Sequence, residues 1–397
     1  MREPATRIIG VVGAGTMGHG IAHVAARAGF EVVLTDVSED LVTKGLETID
    51  REMRRAVEKG RMSADEKAQA FARIRGGAGT APLARTDLVV EAIVEKEEAK
   101  LALFAELDRA CGPATILASN TSSISLTRIA AATRRPERVV GMHFFNPVTR
   151  MPLVEVIRTA TTDAAALETV LALTRRLGKT PVLVRDAPGF LVNRILMPYL
   201  AEAVGFVERG EPVGVVDREL RTFGMPLGPL ELLDEIGLDV ARKVAHVLGD
   251  AFGARMPSVA LIDKLAAEGA LGKKSGLGFY RYERGRRGSV NPALGVTSSE
   301  RPSTPTSEIT DRVVDAMINE AALALDDSVV DDPNDVDLAM ILGTGFPPFR
   351  GGLLRHADAV GVGTIVERLT RRQQSGAPYG PCGRLQRMAL GGERFHR

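Results

Sequence analysis

The chain reads as an α/β domain built on a doubly wound sheet, followed by two repeated all-α domains. Three observations predict this. Short apolar runs alternate with amphipathic helical stretches from Arg7 to Val184, the pattern of a parallel sheet covered by helices. A glycine-rich turn follows the first apolar run and opens the first helical stretch. From Pro188 onward the helical period takes over, and the same ordered set of residues occurs twice.

Each element has a local reason. Arg7 to Val12 is an apolar run ending in glycines, suited to a buried strand. Thr16 to Ala28 has the helical period and stops before Gly29, a C-cap residue. Glu31 to Asp36 is a second strand. Ser38 can cap the next helix, with Leu41 as its early apolar position. Acidic and basic residues alternate from Arg51 to Lys67, which predicts exposed helix. Asp87 to Ile93 is a strand, Glu95 to Cys111 an amphipathic helix, and Thr115 to Ser119 a further strand. Val139 to Phe145, Leu153 to Arg158 and Pro181 to Val184 read as three more strands, with one helix between the last two.

These elements divide the chain into residues 1–185, a first helical domain over 186–283, a Gly/Arg/Ser/Pro-rich linker over 284–306, and a second helical domain over 307–397 whose helices run to about Arg371. One constant offset brings Arg194 onto Arg312, Glu202-Ala203 onto Glu320-Ala321 and Asp217 onto Asp335. A slightly larger one brings Gly224-Met225-Pro226 onto Gly345-Phe346-Pro347.

Composition removes several function classes. The 397 residues carry 51 Lys+Arg against 50 Asp+Glu, a net charge of +1. That excludes an overall basic nucleic-acid binder and an acidic solvating chain. At 45% hydrophobic and 25% charged, the chain is far from disorder. Cys111 and Cys382 cannot build a disulfide framework or a Cys-rich metal site, and the six His lack metal-ligand spacing. No metal is expected. No apolar run reaches the roughly 18 residues of a membrane span, and Met1 to Thr6 is too short and polar for a signal peptide. A cytoplasmic protein is the expectation, with neither nucleic acid nor membrane as partner.

Gly13-Ala14-Gly15-Thr16-Met17-Gly18 is a G-x-G-x-x-G loop between a strand and a helix, the context of a Rossmann-like dinucleotide site. Gly13 permits the tight turn, Gly15 the approach of a pyrophosphate, and Gly18 close helix–strand packing. Thr16 and Met17 open the helix whose free N–H groups face the phosphates. Asp36 closes the second strand, where a carboxylate accepts from ribose hydroxyls and repels a 2′-phosphate. NAD is therefore favoured over NADP. FAD uses the same fingerprint, and the loop by itself leaves it open.

Ser119-Asn120-Thr121-Ser122-Ser123, Gly141-Met142-His143-Phe144-Phe145-Asn146-Pro147, Leu153-Val154-Glu155-Val156 and Asp186-Ala187-Pro188-Gly189-Phe190-Leu191-Val192-Asn193-Arg194 follow in that order. In this set the chain resembles the L-3-hydroxyacyl-CoA dehydrogenase family. Lys273-Lys274-Ser275-Gly276-Leu277-Gly278-Phe279-Tyr280 resembles the end of that family's helical domain. Gly345-Phe346-Pro347-Pro348-Phe349-Arg350-Gly351-Gly352 resembles the repeated domain of its multifunctional fatty-acid oxidation subunits.

The resemblance implies an NAD-dependent oxidoreductase that interconverts L-3-hydroxyacyl-CoA and 3-oxoacyl-CoA, in β-oxidation of fatty acids or butanoate metabolism. Such a reaction needs a base for the hydroxyl proton, and imidazole titrates near neutral pH. His143 is that base and Glu155 the carboxylate that orients it. By resemblance Ser122 contacts both substrate and cofactor, and Asn193 stabilises developing oxygen charge on the substrate. Glu95, Lys100 and Asn146 match positions around the nicotinamide half of NAD, and Lys274 matches a further cofactor contact. Glu95 and Lys100 also suit a solvated helix face. Arg51, Arg54 and Arg55 lie where the family contacts CoA, but the Ser and Lys of relatives are Ile49 and Ala56 here. The acyl pocket is expected between the domains.

Asp311 stands where Asn193 would recur, which predicts one active site. The multifunctional relatives carry a hydratase/isomerase half before the dinucleotide fold, and this chain starts at its first strand, so dehydrogenase activity alone is expected. The second helical copy would supply within one chain the packing surface that short relatives obtain by dimerising. A monomer, or a homodimer through another surface, follows, with association with other β-oxidation enzymes as a further partner expectation. Two alternatives stay open: a CoA-independent hydroxy-acid or sugar-acid dehydrogenase, and a silent NAD-binding scaffold.

Overall fold

The computed structural model describes residues 6–256, 259–295 and 304–396. They form two compact units, residues 1–190 and 191–397.

The first unit is an eight-stranded sheet: β1 (Ile8–Val12), β2 (Glu31–Asp36), β3 (Ile74–Ala78), β4 (Leu88–Glu91), β5 (Ile116–Ser119), β6 (Val139–Phe144), β7 (Leu153–Arg158) and β8 (Thr180–Arg185). Helices α1 (Thr16–Arg27), α2 (Glu39–Glu58), α3 (Ala64–Ala72), α4 (Glu97–Ala110), α5 (Leu126–Ala131) and α6 (Ala164–Arg176) connect the strands. The strand order is β3-β2-β1-β4-β5-β6-β7-β8, so the winding reverses between β1 and β4. Ile9, Val11, Val32, Leu34, Val90 and Ala118 on the central strands pack with Ile21 and Ala25 of α1 in the main core.

The doubly wound sheet is parallel except for one pair: β6 and β7, joined by a turn and not by a helix, run antiparallel. Two details differ from the sequence reading. The Ile74-Arg75-Gly76-Gly77-Ala78 segment is a strand that the sequence does not announce. It pairs with β2 through backbone groups, and its glycines leave room that Val42 and Pro82 occupy. The charged stretch from Arg51 to Lys67 is two helices. α2 ends at Glu58, and Ser63 restarts the chain with a capping box to Glu66.

The second unit holds α7 (Val192–Glu208), α8 (Val213–Phe223), α9 (Pro229–Ile236), α10 (Leu238–Phe252), α11 (Ala260–Ala267), a hairpin of β9 (Tyr280–Glu283) and β10 (Arg286–Val290), and then α12 (Thr306–Asp326), α13 (Pro333–Thr344), α14 (Leu353–Val360), α15 (Val362–Gln374) and α16 (Gly383–Gly391). Part of the segment expected as a linker, Arg286–Val290, is thus a paired strand; residues 296–303 of that segment lie outside the described ones. Helix also continues past Arg371, to Gly391.

The repeat is visible in matching backbone locks. Asp217 accepts the Leu230 N–H at 2.8 Å, and Asp337 accepts the Leu354 N–H at 2.6 Å. Asp234 accepts the amides of Phe279 and Tyr280; Asp358 accepts those of Phe395 and His396. The counterpart of Asp217 is therefore Asp337, not Asp335. The loop 327–332 is longer than 209–212, and the constant offset fails across it.

The copies also engage each other reciprocally. Arg194 Nε donates to Glu320 at 2.6 Å, and Arg312 Nε donates to Glu202 at 2.6 Å. A Cβ on Gly224 would lie 2.8 Å from Pro347, and one on Gly345 2.6 Å from Pro226.

Candidate active site

The dinucleotide loop joins β1 to α1. Gly13 has φ +99°, and a Cβ there would lie 2.5 Å from the Ala92 carbonyl oxygen. A Cβ on Gly18 would collide with the Gly13 carbonyl oxygen. Gly15, by contrast, faces open space. That is the arrangement a pyrophosphate needs: a bare backbone at a helix N-terminus. Asp36 holds the loop, with one carboxylate oxygen accepting the Ala14 N–H and the other the Val37 N–H, each at 2.7 Å. A cavity of about 410 Å³ lined by Gly15, Thr16, Asp36, Leu41, Lys44 and Thr48 opens beside them. These residues fit the adenosine and phosphates of NAD. Met17 is only partly buried and packs against the main core.

His143 and Glu155 are direct partners in the β6–β7 register. Their spacing of 12 residues across a strand–turn–strand makes facing side chains feasible, and the register puts them opposite each other. His143 Nδ1 lies 2.7 Å from Glu155 Oε2, and Glu155 is fully buried. Facing a carboxylate, Nδ1 is placed to donate, and the tautomer with its proton there leaves the lone pair on Nε2. The rings of Phe145 and Phe190 stand 4.6 and 5.8 Å from the imidazole and wall it off.

A second network joins the loops that leave β4 and β5. Glu95 Oε1 accepts from the Thr121 hydroxyl at 2.6 Å, the Ser122 N–H at 2.8 Å and the Ser122 hydroxyl at 3.2 Å. Burial pushes the Glu95 carboxyl up, but the Lys100 charge with these donors outweighs it and holds the group below its usual range. Lys100 is not on a solvated helix face. It is 1% exposed, with Nζ 2.5 Å from Glu91 and 3.2 Å from Glu95.

The remaining expected positions are more dispersed. Asn146 is exposed on the loop after β6. Asn193 is half-buried at the start of α7. Lys274 pairs with Asp239 at the surface of the second unit, at 2.5 Å. Asp311, the counterpart of Asn193, pairs with Arg368 at 3.0 Å.

Sequence reasoning missed three residues. Glu91 hides at the end of an apolar run. Asn120 accepts the Phe144 N–H at 2.8 Å and so ties the β5 loop to the strand of His143. Lys179 donates to the carbonyls of Val148 and Met151, bracing the loop after Asn146, and burial lowers its pKa. A Glu inside the apolar stretch 88–94 was the available signal for Glu91; Lys179, between Gly178 and Thr180, has no such mark. Nothing local marked Asn120. Among the described residues no cluster could hold a metal ion, and no helix is long and apolar enough to cross a membrane.

Known proteins match this chain along almost its whole length. The family described as 3-hydroxyacyl-CoA dehydrogenase, NAD binding domain, matches residues 8–187. The corresponding C-terminal domain matches twice, at 189–282 and 309–394. Among solved structures, the 3-hydroxybutyryl-CoA dehydrogenase of Escherichia coli is 32% identical over 98% of this chain and 99% of its own, with a TM-score of 0.85. The (S)-3-hydroxybutyryl-CoA dehydrogenase of Ralstonia eutropha is 41% identical over 70% of this chain and all of its own, TM-score 0.69. FadB2 of M. tuberculosis is 43% identical over the same shares, TM-score 0.69. The chain belongs to the 3-hydroxyacyl-CoA dehydrogenase family, as an NAD-dependent oxidoreductase of the type that acts on 3-hydroxyacyl-CoA.

Proposed function

We propose that His143 is the general base of this dehydrogenase, oriented and electrostatically supported by Glu155. The observation that carries the reading is the buried 2.7 Å contact of Nδ1 with Glu155, which commits Nε2 to the substrate side. His143 Nε2 takes the proton of the 3-hydroxyl as the C3–H bond breaks. Glu155 then faces an imidazolium and stabilises it. Bound NAD supplies the acceptor for the hydride. Ser122, held by Glu95, orients the substrate oxygen, and Asn193 keeps the role that its motif implies. Glu95, Asn146 and Lys274 belong to the cofactor side of this proposal.

A CoA thioester is supported by charge. A cavity of about 570 Å³ in the first unit is lined by Arg27, Arg55, Lys59, Arg61 and Arg150, with Glu52 as its acid. Phosphates suit such a cluster. Arg54 and Arg51 are spent elsewhere, on Asp50 and Thr48. The charge that relatives draw from the position of Ala56 comes instead from Lys59 and Arg61. The β-oxidation or butanoate setting, a reducing cytoplasm that keeps the two buried cysteines free, and a monomer or a dimer through another surface complete the reading. The reciprocal α7–α12 ion pairs support internal pairing of the two helical copies.

The test is NADH oxidation with acetoacetyl-CoA beside free acetoacetate. Turnover of the thioester alone is the expected result. Equal turnover of the free acid would favour the CoA-independent alternative.

A further inference from the structure

We propose that Glu91 is a positioning residue for the nicotinamide half of the cofactor site. It sets Glu95, and through Glu95 Ser122, by way of Lys100. The inference rests on the NAD reading above and on the roles given there to Glu95 and Ser122.

The placement follows from topology. The strand order reverses between β1 and β4, and a dinucleotide crosses such a switch point at the carboxyl ends of the strands. Asp36 ends β2 on one side of it. Glu91 ends β4 and Ser119 ends β5 on the other. The half of the cofactor beyond the pyrophosphate therefore lies over the loops that Glu91 joins.

Glu91 is fully buried, and both its oxygens are used inward. One accepts the Ile93 N–H at 2.8 Å and the Lys100 ammonium at 2.5 Å, and the other accepts the Ser119 hydroxyl at 2.6 Å. The Ser119 hydroxyl in turn accepts the Thr121 N–H at 3.2 Å. Glu91 thus bends the β4 loop, clamps the β5 loop and shares one ammonium with Glu95. Two carboxylates on one buried cation divide its field. If Glu91 loses its charge, Lys100 is left with Glu95 as its anionic partner, and a buried cation draws strongly on the anion that remains. That pull acts on the carboxylate whose other oxygen holds Ser122 in place.

The test separates the two halves of the cofactor. NADH is titrated by fluorescence and ADP-ribose by calorimetry, against the full chain and its Glu91→Gln, Lys100→Met and doubly substituted variants. The expected result is NADH binding weakened at least tenfold by Glu91→Gln, with ADP-ribose binding changed less than twofold. Glu91 and Lys100 act as one unit, so the double variant should bind NADH no worse than the weaker single one. Equal losses for both ligands, unchanged NADH binding, or additive losses would each overturn the proposal. If Glu91→Gln lacks a cooperative thermal transition, Ser119→Ala removes one tie alone. It should weaken NADH selectively, and no selective change would again overturn the assignment. Failure of the unaltered chain to bind NADH would instead sink the NAD reading beneath it.

Discussion

Replacing Glu155 by Gln removes one negative charge from an enclosed pair and changes almost no volume. His143 Nδ1 and the carboxylate are 2.7 Å apart, with Glu155 fully buried. Water therefore cannot replace the lost charge. A hydrogen bond to a charged partner is worth about 1.5–3 kcal/mol, and each 1.36 kcal/mol is tenfold in rate. If the Gln amide presents its oxygen to Nδ1, kcat should fall roughly 10- to 150-fold. If it presents its NH2 group, the tautomer reverses, Nε2 carries the proton, and the loss approaches about 10⁴. The assay is steady-state NADH oxidation with saturating acetoacetyl-CoA, beside a thermal melt. The KM for NADH should stay within about twofold, because the pair sits on β6 and β7, which β4 and β5 separate from the strand that leads into the glycine loop. A kcat within threefold of wild type, in a variant that melts like wild type, would refute His143 as a base oriented by Glu155.

Four further outcomes follow from named contacts. Asp36→Ala leaves the Ala14 and Val37 amides without their carboxylate, so NADH should bind about 10- to 100-fold more weakly by fluorescence titration. Arg55→Ala in the basic cavity should raise the KM for acetoacetyl-CoA about 2- to 10-fold, as expected for a partly solvated phosphate contact, and leave NADH binding unchanged. Glu320→Ala leaves the buried Arg194 guanidinium with Asp327 as its carboxylate partner and should cost about 1.5–3 kcal/mol in urea unfolding. Arg194→Met with Glu320→Met should cost less than that single change. Burial raises the Asp217 carboxyl to about 6, against donors from Tyr280 and Leu230 that favour the charged form. The folded chain then binds this proton more tightly than the unfolded one, so the group's contribution to stability is largest below about pH 4 and is lost as pH rises to about 6. Asp217→Asn lacks this loss. Its urea midpoint should gain on that of wild type between those pH values, and a constant difference would contradict the assignment.

Period and spacing along the chain were enough to place the apolar strands, the glycine loop and Asp36, because these signals are local. A strand buried on both faces must be apolar, and a turn with φ +99° at Gly13 admits little but glycine. The order of the His143, Glu155 and Asn193 motifs was legible for the same reason. A strand, turn and strand between His143 and Glu155 made facing side chains feasible, but only the folded chain fixed the register that sets the two directly opposite. Only it put Lys100 under Glu91 and Glu95, gathered Arg27, Lys59 and Arg150 around one cavity, and moved the counterpart of Asp217 from Asp335 to Asp337. Each of these depends on partners remote in sequence. A glutamate at the end of β4 has the same local context whether it meets water or an ammonium. Its burial is tolerable only because Lys100 and Ser119 arrive from other elements to satisfy its charge, and that arrival is a property of packing.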